Sequence, residues 1–230
     1  MLMSNHPKFI ETEYFGVYTD ENRSNYYTKS LTKRGSVYGE KTYRLPGGIM
    51  YRQWDPYRSK LGACLHKGIK YWPFKEDSKV LYLGAASGTT VSHVSDICAN
   101  GYVFSVEISA RPFSDLLRLA SKRQNIFPIM ADARKVREYV HIVPEVDVVY
   151  QDIAQRDQAE IFAKNVDVFL RRGGYGLIMV KARSIDVVRD PNDIFKDVEE
   201  YLKDSGYKIL QTIRLEPYEK DHIAIIIQKV

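Results

Sequence analysis

The sequence contains little cysteine, no histidine pair of the metalloprotease type and no long apolar run. Its two cysteines, Cys64 and Cys98, lie far apart and outside any C-x-x-C spacing, which favours buried free thiols over a disulfide or a metal site. The five histidines include no H-E-x-x-H pair, so no metal is expected. The longest aliphatic run, 223–227, is too short to span a bilayer, and the first residues hold no apolar secretion segment. We therefore expect an intracellular, cytoplasmic protein.

The stretch 80–97 is the centre of the predicted organisation. Residues 80–83 form an apolar run of β-forming side chains, which Gly84 ends in a tight turn. From Gly88 onward the apolar positions repeat with helical spacing. Three hydroxyl residues are expected to cap the start of this helix: Ser87, Thr89 and Thr90. Such a loop is expected to leave bare backbone N–H groups at a helix N-terminus, which suits a nucleotide-type ligand.

Two common nucleotide signatures are absent from this loop. A dinucleotide fold uses G-x-G-x-x-G, but the third position here is Ala86, and no lysine follows Gly88 as a phosphate loop requires. Glu107 ends the next apolar run, 23 residues beyond Gly84, where an acid can accept both ribose hydroxyls of a nucleoside. A nucleoside without a pyrophosphate, such as S-adenosylmethionine, fits best. The alternative is an ordinary turn without a ligand.

Positive charge is concentrated in one part of the chain. The net charge is +5, but the segment 23–70 holds eleven basic residues against the acids Glu40 and Asp55, so it carries +9 and leaves −4 elsewhere. Aromatic residues are interleaved with these cations: Tyr26, Tyr27, Tyr38, Tyr43, Tyr51, Trp54 and Tyr57. This composition suits phosphate contact and base stacking in RNA binding. The alternative is a solvated, partly aromatic β surface.

The chain order predicts an α/β fold. Short β runs at 9–19, 26–31, 37–45 and 49–53 indicate an antiparallel N-terminal β domain over residues 1–54. Asp55-Pro56 is expected to start a helix that carries Leu61 and Leu65 and ends at Gly68. Strands are then expected at 79–83, 102–107, 126–130, 146–151, 174–180, 207–215 and 222–229, with helices at 88–99, 110–122, 156–171 and 190–204. Residues 55–230 therefore form a largely parallel, Rossmann-like sheet covered on both sides, whose last two strands pair antiparallel.

Polar residues stand at the carboxyl ends of these strands, where such sheets bind ligands. They are Gly84, Ser87, Glu107, Asp132, Asp152 and Lys181. The Asp132 carboxylate can accept from an adenine amino group while the N–H of Ala133 contacts the ring. The alternative for Asp132 is a loop carboxylate that caps the turn before Arg134.

Asp152 and Lys181 aim opposite charges at one place. One interpretation is a structural ion pair between these two residues. The functional interpretation is that a ribose 2′-hydroxyl must lose its proton to a base as it attacks a sulfonium methyl. Lys181 is the candidate base, because partial burial, a second cation at Lys60 and the sulfonium all favour its neutral form. Asp152 would orient Lys181, and Lys60 would position the ribose or stabilise its oxygen. His222 completes the polar cluster or is merely a histidine at the start of a strand.

With these residues assembled, the sequence resembles the fibrillarin family of RNA 2′-O-methyltransferases, in particular its archaeal fibrillarin-like members. The matching stretches are 51–61 (Tyr-Arg-Gln-Trp-Asp-Pro-Tyr-Arg-Ser-Lys-Leu), 82–94 (from Tyr82 to Val94), 152–155 (Asp-Ile-Ala-Gln) and 216–222 (Glu-Pro-Tyr-Glu-Lys-Asp-His). The resemblance implies a class I S-adenosylmethionine-dependent methyltransferase domain with a small N-terminal antiparallel β domain.

The resemblance also implies functional residues. The family's Lys-Asp-Lys-His catalytic set matches Lys60, Asp152, Lys181 and His222. The implied contacts to S-adenosylmethionine are at Thr89, Thr90, Glu107, Ile108, Asp132, Ala133, Asp152, Ile153, Ala154 and Gln155. The loop residues Gly84, Ala85 and Ser87 complete the predicted cofactor site. Ile108 stands where many relatives carry an aromatic residue, and Tyr150-Gln151 replaces the small residues that usually precede the Asp152 motif.

Family members act in a box C/D guide ribonucleoprotein. The implied partners are a box C/D guide RNA, an rRNA or tRNA substrate, a Nop-family scaffold protein and a kink-turn-binding ribosomal-type protein. Guide-directed 2′-O-methylation is the leading hypothesis. The rivals are a non-catalytic scaffold of the particle, a stand-alone RNA methyltransferase and, more remotely, a nicotinamide dehydrogenase.

Overall fold

The N-terminal part of the chain forms a five-stranded antiparallel sheet. The computed structural model describes residues 7–33 and 35–230, so Arg34, which was counted among the basic residues, and the first six residues lie outside it. The strands are β1 (Ile10–Glu11), β2 (Val17–Thr19), β3 (Tyr26–Lys29), β4 (Thr42–Arg44) and β5 (Met50–Gln53), in the order β1-β2-β3-β5-β4. The antiparallel sheet is as predicted. A short 3-10 helix, Pro46–Gly48, joins β4 to β5.

Two of the predicted runs in this sheet are shorter or broken. The run 9–19 divides into β1 and β2 around a turn in which the Val17 N–H donates to the Tyr14 carbonyl (3.0 Å). The run 37–45 contracts to β4 because the Glu40 carboxylate accepts hydrogen bonds from the N–H groups of Val37 and Tyr38. That local pairing bends 37–40 into a loop in place of a strand.

Helix α1 (Lys60–His66) begins later than predicted. Asp55 is not its N-cap, because the Asp55 carboxylate accepts from Tyr57 N–H (2.9 Å) and its carbonyl from Arg58 N–H (3.2 Å), which closes a separate turn. Ser59 caps the helix through its hydroxyl, which accepts from the Gly62 N–H. Leu61 and Leu65 are buried on one face as predicted.

The rest of the chain forms a seven-stranded sheet with helices, as the α/β prediction requires. Its elements are β6 (Lys79–Leu83), α2 (Thr89–Ile97), β7 (Tyr102–Glu107), α3 (Ala110–Ala120), β8 (Ile126–Met130), a 3-10 helix (Val136–Glu138), β9 (Val146–Gln151), α4 (Gln158–Phe169), β10 (Leu170–Lys181), α5 (Ala182–Ile185), α6 (Pro191–Asp204), β11 (Tyr207–Arg214) and β12 (His222–Lys229). The order is β11-β12-β10-β9-β6-β7-β8. The five strands from β10 to β8 are parallel, and β12 pairs antiparallel with β10 and β11.

The two faces of this sheet belong to two hydrophobic clusters. Leu81 and Leu83 pack into one with α4 and α6, whereas Val80 and Tyr82 pack into the other with α1, α2 and α3. Neighbouring residues of a strand point to opposite faces, so helices cover both sides. The second cluster also includes Trp54 from the N-terminal sheet. Over residues 7–33 and 35–230, no helix is long and apolar enough to cross a membrane.

A buried polar network joins the N-terminal sheet to α2. Arg52, on β5, donates to Glu40, Asp96 and Ser92, each at 2.7 Å, and is fully buried. Arg123 donates to the second oxygen of the same Asp96 carboxylate (2.5 Å). The packing that buries this network also buries Trp54, whereas Tyr27 is buried on the opposite face of the N-terminal sheet, against the rings of Phe9 and Tyr43. These two aromatic residues are therefore not available to stack on RNA bases, contrary to the expectation for the 23–70 segment.

Candidate active site

The loop after β6 is tied to its neighbours through its backbone. The N–H groups of Gly84 and Ala85 both donate to the Val106 carbonyl (3.0 Å each), and that of Gly88 donates to the Ala85 carbonyl (2.9 Å). The Ala86 N–H donates to the Glu107 carboxylate (2.8 Å). These four amides are satisfied within the protein, so the expectation of bare N–H groups is wrong for them.

Gly84 allows the closest approach between two strand ends. Its φ is +81°, and a Cβ atom there would collide with the Asp152 carbonyl oxygen and lie 2.7 Å from the Ile153 side chain. A residue without a Cβ is therefore needed for the 152–155 segment to lie against the loop.

Helix α2 starts without the predicted hydroxyl cap. Its N-cap is Gly88, in the left-handed conformation with φ +89° and with no side-chain hydrogen bond. The Thr90 hydroxyl lies 2.9 Å from the Ser59 hydroxyl, which also accepts a hydrogen bond from the Trp54 indole (2.8 Å). The hydroxyl of Thr90 thus joins the starts of α1 and α2 in place of capping.

A cavity of about 220 Å³ lies at the carboxyl edge of the sheet. Nine of the predicted cofactor residues line it: Gly84, Glu107, Ile108, Asp132, Ala133, Asp152, Ile153, Ala154 and Gln155. The other four do not. Ala85 is buried, Thr90 contacts Ser59, and Ser87 and Thr89 line a separate cavity between α3 and the N-terminal sheet.

Glu107 holds the backbone on both sides of the cavity. One carboxylate oxygen accepts from Ala86 N–H (2.8 Å) and the other from Ser109 N–H (2.7 Å). Glu107 is 8 % exposed. Because each carboxylate oxygen has a second lone-pair site, this geometry leaves capacity to accept from ribose hydroxyls. Beside it, the side chain of Ile108 is 53 % exposed.

Asp132 has the geometry of a turn cap as well as a place in the cavity. Its carboxylate accepts from the Arg134 N–H (2.9 Å), which is the alternative raised for this residue. The Arg134 guanidinium pairs with Asp157 (2.8 Å) and donates to the Gln155 side chain (2.7 Å). The hydrogen bond from Arg134 lowers the pKa of Asp157. The side chain of Gln155 is thereby held to the rim of the cavity.

Asp152 forms its ion pair with Lys60. The Lys60 ammonium lies 3.0 Å from the carboxylate, and the two side chains are 19 % and 24 % exposed. Among the described residues, no ion pair joins Lys181 to Asp152, so the structural ion pair raised as the alternative for these two residues is not formed. The lysine at the start of α1, 92 residues away in sequence, takes that place.

Lys181 and His222 face each other across β10 and β12. They are directly paired in the antiparallel register, and Lys181 is half-buried at the end of its strand. The backbone N–H of Lys181 donates to the Gln158 side chain (3.0 Å), whose amide donates back to the Lys181 carbonyl (3.2 Å). Gln158 is fully buried, so it fixes the backbone from which the Lys181 side chain extends.

The His222 imidazole feels the charge of Lys60. Burial lowers its pKa, and the Lys60 charge lowers it further, while the hydrogen bond to the Lys220 carbonyl (2.6 Å) and the charges of Glu219 and Asp152 act in the opposite direction. The lowered pKa favours neutral imidazole at pH 7. If Nδ1 donates to Lys220, Nε2 is a hydrogen-bond acceptor.

Two positioning residues of this site have no signature in the sequence. Gln158 lies in the first turn of α4, and Ser59 lies between a turn and α1, where both residue types are common on surfaces. Their roles arise from partners 23 and 31 residues away, Lys181 and Thr90. Only the contact geometry identifies them.

Comparison with known proteins places this geometry in context. A model of the fibrillarin family matches residues 8–230. A relative from Methanocaldococcus jannaschii named fibrillarin-like rRNA/tRNA 2′-O-methyltransferase is 50% identical over 199 residues, 86% of either chain. The structure of Aeropyrum pernix fibrillarin with natively bound S-adenosyl-L-methionine is 43% identical with a TM-score of 0.88, covering 98% of this chain and 100% of that one. A fibrillarin/Nop5p complex gives 43% identity and a TM-score of 0.86, covering 96% and 100%.

Proposed function

The chain belongs to the fibrillarin family, and from that premise we propose that it is the catalytic subunit of a box C/D guide ribonucleoprotein. It is an S-adenosylmethionine-dependent rRNA/tRNA 2′-O-methyltransferase. The single observation that carries the catalytic proposal is the contact of Lys60 with Asp152 beside the cavity, with Lys181 and His222 at the same sheet edge.

The residues around the cavity fit S-adenosylmethionine. Gly84 keeps the floor free of a Cβ, Glu107 retains acceptor capacity for ribose hydroxyls, and Asp132 lies where an adenine amino group can donate. We assign the predicted cofactor contacts to these residues and to the 152–155 segment. When bound, the cofactor supplies an electrophilic methyl group on a sulfonium.

The side chains at the sheet edge can then activate the RNA. Lys181, in its neutral amine form, accepts the proton of the ribose 2′-hydroxyl as the oxygen attacks the methyl group. No carboxylate among the described residues forms an ion pair with Lys181 that would stabilise its ammonium form. Lys60, oriented by Asp152, donates to the 2′-oxygen as negative charge develops on it. The neutral imidazole of His222 accepts a hydrogen bond at this edge and adds no further positive charge next to Lys181.

The substrate and the partners are proposed from the family. A fibrillarin complex with Nop5p supports a Nop-family scaffold as the direct partner. We extend this to a guide RNA and a kink-turn-binding protein, which together would select the nucleotide of rRNA or tRNA. The chain would then supply chemistry, and base pairing would supply specificity.

The test is methyl transfer from labelled S-adenosylmethionine in a reconstituted particle. Lys181→Met is expected to lower single-turnover transfer about 100-fold or more, the usual range for losing a general base. Lys203→Met, at an exposed lysine of α6, is the matched control. Calorimetry should give similar S-adenosylmethionine affinities for both variants. Near-wild-type transfer by Lys181→Met would contradict the base assignment.

The same assay without guide RNA and scaffold separates the rival functions. Transfer only in the complete particle supports guide-directed catalysis. Equal transfer by the isolated chain would make it a stand-alone methyltransferase. No transfer in either case, with a fully assembled particle, would leave the chain a scaffold.

A further inference from the structure

A second, larger cavity lies beside the proposed active site. It has a volume of about 630 Å³ and opens between Thr32 and residues 35–38, the turn before α1, the loop before α2 and the end of α3. Four cations line it: Arg58, Arg118, Lys122 and Arg123. We call this cavity the basic groove. Its only acidic lining residue within the described chain is Asp115, which is paired with Arg118 at 2.7 Å.

Three cations of the basic groove are available to a ligand. Arg58, Arg118 and Lys122 are exposed, and the Arg58 guanidinium lies over the Tyr38 ring, 5.8 Å from its centroid. The stacking limits the directions that Arg58 can take. Hydroxyl groups of Ser36 and Ser87, both exposed, add neutral donors to the same walls.

The fourth cation, Arg123, has a donor to spare. Its side chain is 1 % exposed, and NH1 donates to Asp96, but NH2 is buried with no hydrogen-bond partner among the described residues. Burial lowers the pKa of Arg123, and the neighbouring Arg52 charge acts in the same direction. An anion in the basic groove would offset part of that unfavourable electrostatic environment.

The basic groove adjoins the active site. Arg58 is two residues before Lys60. Ser87 belongs to the loop that starts next to the S-adenosylmethionine cavity, and Thr89 is the first residue of α2 after that loop. A polynucleotide whose ribose contacts Lys60 and Lys181 therefore meets positive charge one step further along its backbone. An acidic protein segment could bind at any distance from the active site, so the position of the basic groove beside it favours RNA as the ligand.

We propose that the basic groove holds the phosphate backbone of the RNA next to the methylated ribose, with Arg58, Arg118 and Lys122 as the phosphate contacts. This inference rests on the proposed function and deepens it, because it assigns part of RNA binding to this chain. Arginine and lysine contacts to phosphate carry no sequence information, which agrees with specificity supplied by base pairing.

The test measures binding of a fluorescein-labelled twelve-nucleotide oligouridylate by anisotropy as salt is varied. The groove variant combines Arg58→Gln, Arg118→Gln and Lys122→Gln. The matched control combines Arg172→Gln, Lys196→Gln and Lys203→Gln, which removes the same charge from exposed positions away from the basic groove, on β10 and α6. Melting temperatures of both variants verify folding.

We expect the groove variant to bind at least tenfold more weakly at about 0.1 M salt, with its log–log salt slope reduced by about 2, because each single-strand phosphate contact contributes about 0.7. The control variant should stay within about twofold of wild type at that salt. S-adenosylmethionine affinity by calorimetry should be unchanged in both.

Several outcomes would overturn the proposal. One is equal oligouridylate binding by the two variants, and another is no binding by the wild-type protein at low salt. A third is displacement of the oligouridylate by inorganic phosphate beyond its ionic-strength effect. The remaining two are a groove variant that loses only its S-adenosylmethionine affinity and a groove variant that loses only its affinity for the Nop scaffold. The last two would assign the groove to the cofactor carboxylate or to a protein. None of them affects methyl transfer by the wild-type particle, which separately tests the proposed function.

Discussion

At the scale of single residues, Lys60 and Lys181 carry the same group in different surroundings. Lys60 is held at 3.0 Å from Asp152, whereas within the described residues the Lys181 ammonium has no carboxylate partner. The first arrangement stabilises a charged donor, and the second lacks a carboxylate that would stabilise the ammonium form, as the base proposed for Lys181 requires. The two lysines should therefore respond differently to substitution.

Lys60→Met is expected to lower stability as well as activity. The change leaves Asp152 partly buried without its partner, which we expect to cost about 1–2 kcal/mol, below the value for fully buried pairs. Urea unfolding measures this loss. Lys181→Met should cost less than about 0.5 kcal/mol, since no ion pair is broken.

The double variant Lys60→Met/Asp152→Asn provides the control. Removing both charges should restore most of the stability while activity stays low. If the double variant is as unstable as Lys60→Met, the loss comes from packing of the lysine stem and not from the ion pair.

His93 should make the protein sensitive to acid. Burial, with Arg52 and Arg123 nearby, holds the pKa of His93 well below its usual range. The unfolded chain therefore takes up a proton below about pH 6.5 that the folded chain resists, so the free energy of unfolding falls as pH decreases through that region, by about 1.4 kcal/mol per pH unit for this proton. Above about pH 7 neither state binds this proton, so His93 no longer changes the free energy of unfolding with pH.

Urea unfolding of wild type and His93→Gln between about pH 5 and pH 7.5 measures how the free energy of unfolding changes with pH on both sides of the ordinary histidine pKa. The variant should show a weaker decline than wild type, because one of the resisting imidazoles is gone. His141→Gln, at an exposed histidine, should keep the wild-type dependence. Parallel curves for wild type and His93→Gln would assign the acid sensitivity to other groups.

At the scale of elements, the strands follow from local patterns and their ends do not. The runs that became β6, β7, β8 and β9 were predicted to the residue, because each is a mainly apolar run of strand length. The cap of α1 was not, because Asp55 and Ser59 are both good capping residues and the choice depends on which one closes the preceding turn. Local propensity ranks such candidates but does not separate them.

Gly84→Ala is expected to damage the junction between the β6 loop and the 152–155 segment. Its Cβ would meet the Asp152 carbonyl at a positive φ, which we expect to cost about 1–3 kcal/mol and to weaken S-adenosylmethionine binding at least tenfold. Calorimetry on folded protein measures the affinity.

Gly101→Ala is the matched control. Its Cβ would likewise collide with a backbone carbonyl, that of Ser78, but at the start of β7, away from the cavity. It should lower the melting temperature similarly and leave cofactor affinity within about twofold. Equal losses of affinity would mean that general destabilisation, and not the junction, governs binding.

At the scale of the whole molecule, Arg52 joins the N-terminal sheet to helix α2. Arg52→Met should cost about 3–5 kcal/mol, because it leaves Glu40 underpaired and deprives Asp96 of one of its two arginines in a site without water access. Arg171→Met, which breaks the exposed pair with Asp147, should cost less than about 1 kcal/mol. Chemical unfolding of the two variants measures both, and similar costs would contradict a special role for the network.

The long-range parts of the site could not be predicted from sequence. Asp132, Asp152 and Lys181 were identified because strand ends in a parallel sheet meet at one edge. That Asp152 pairs with Lys60 depends on how α1 packs beside α2. That Arg52 and Trp54 lie inside and not on an RNA-binding surface depends on how the N-terminal sheet packs on α2. The boundary at residues 54 and 55 stays a prediction, since the second hydrophobic cluster includes residues from both sides of it.

The burial of Trp54 has a practical consequence. Its indole stacks on the His93 ring with centroids 4.6 Å apart and lies 6.3 Å from Trp72, the other tryptophan of the chain. Both fluorophores therefore sit where the two sheets meet. Tryptophan fluorescence should shift to longer wavelength when the two sheets separate, because water then reaches the indoles. The emission maximum therefore reports whether the sheets are packed together, without an added label.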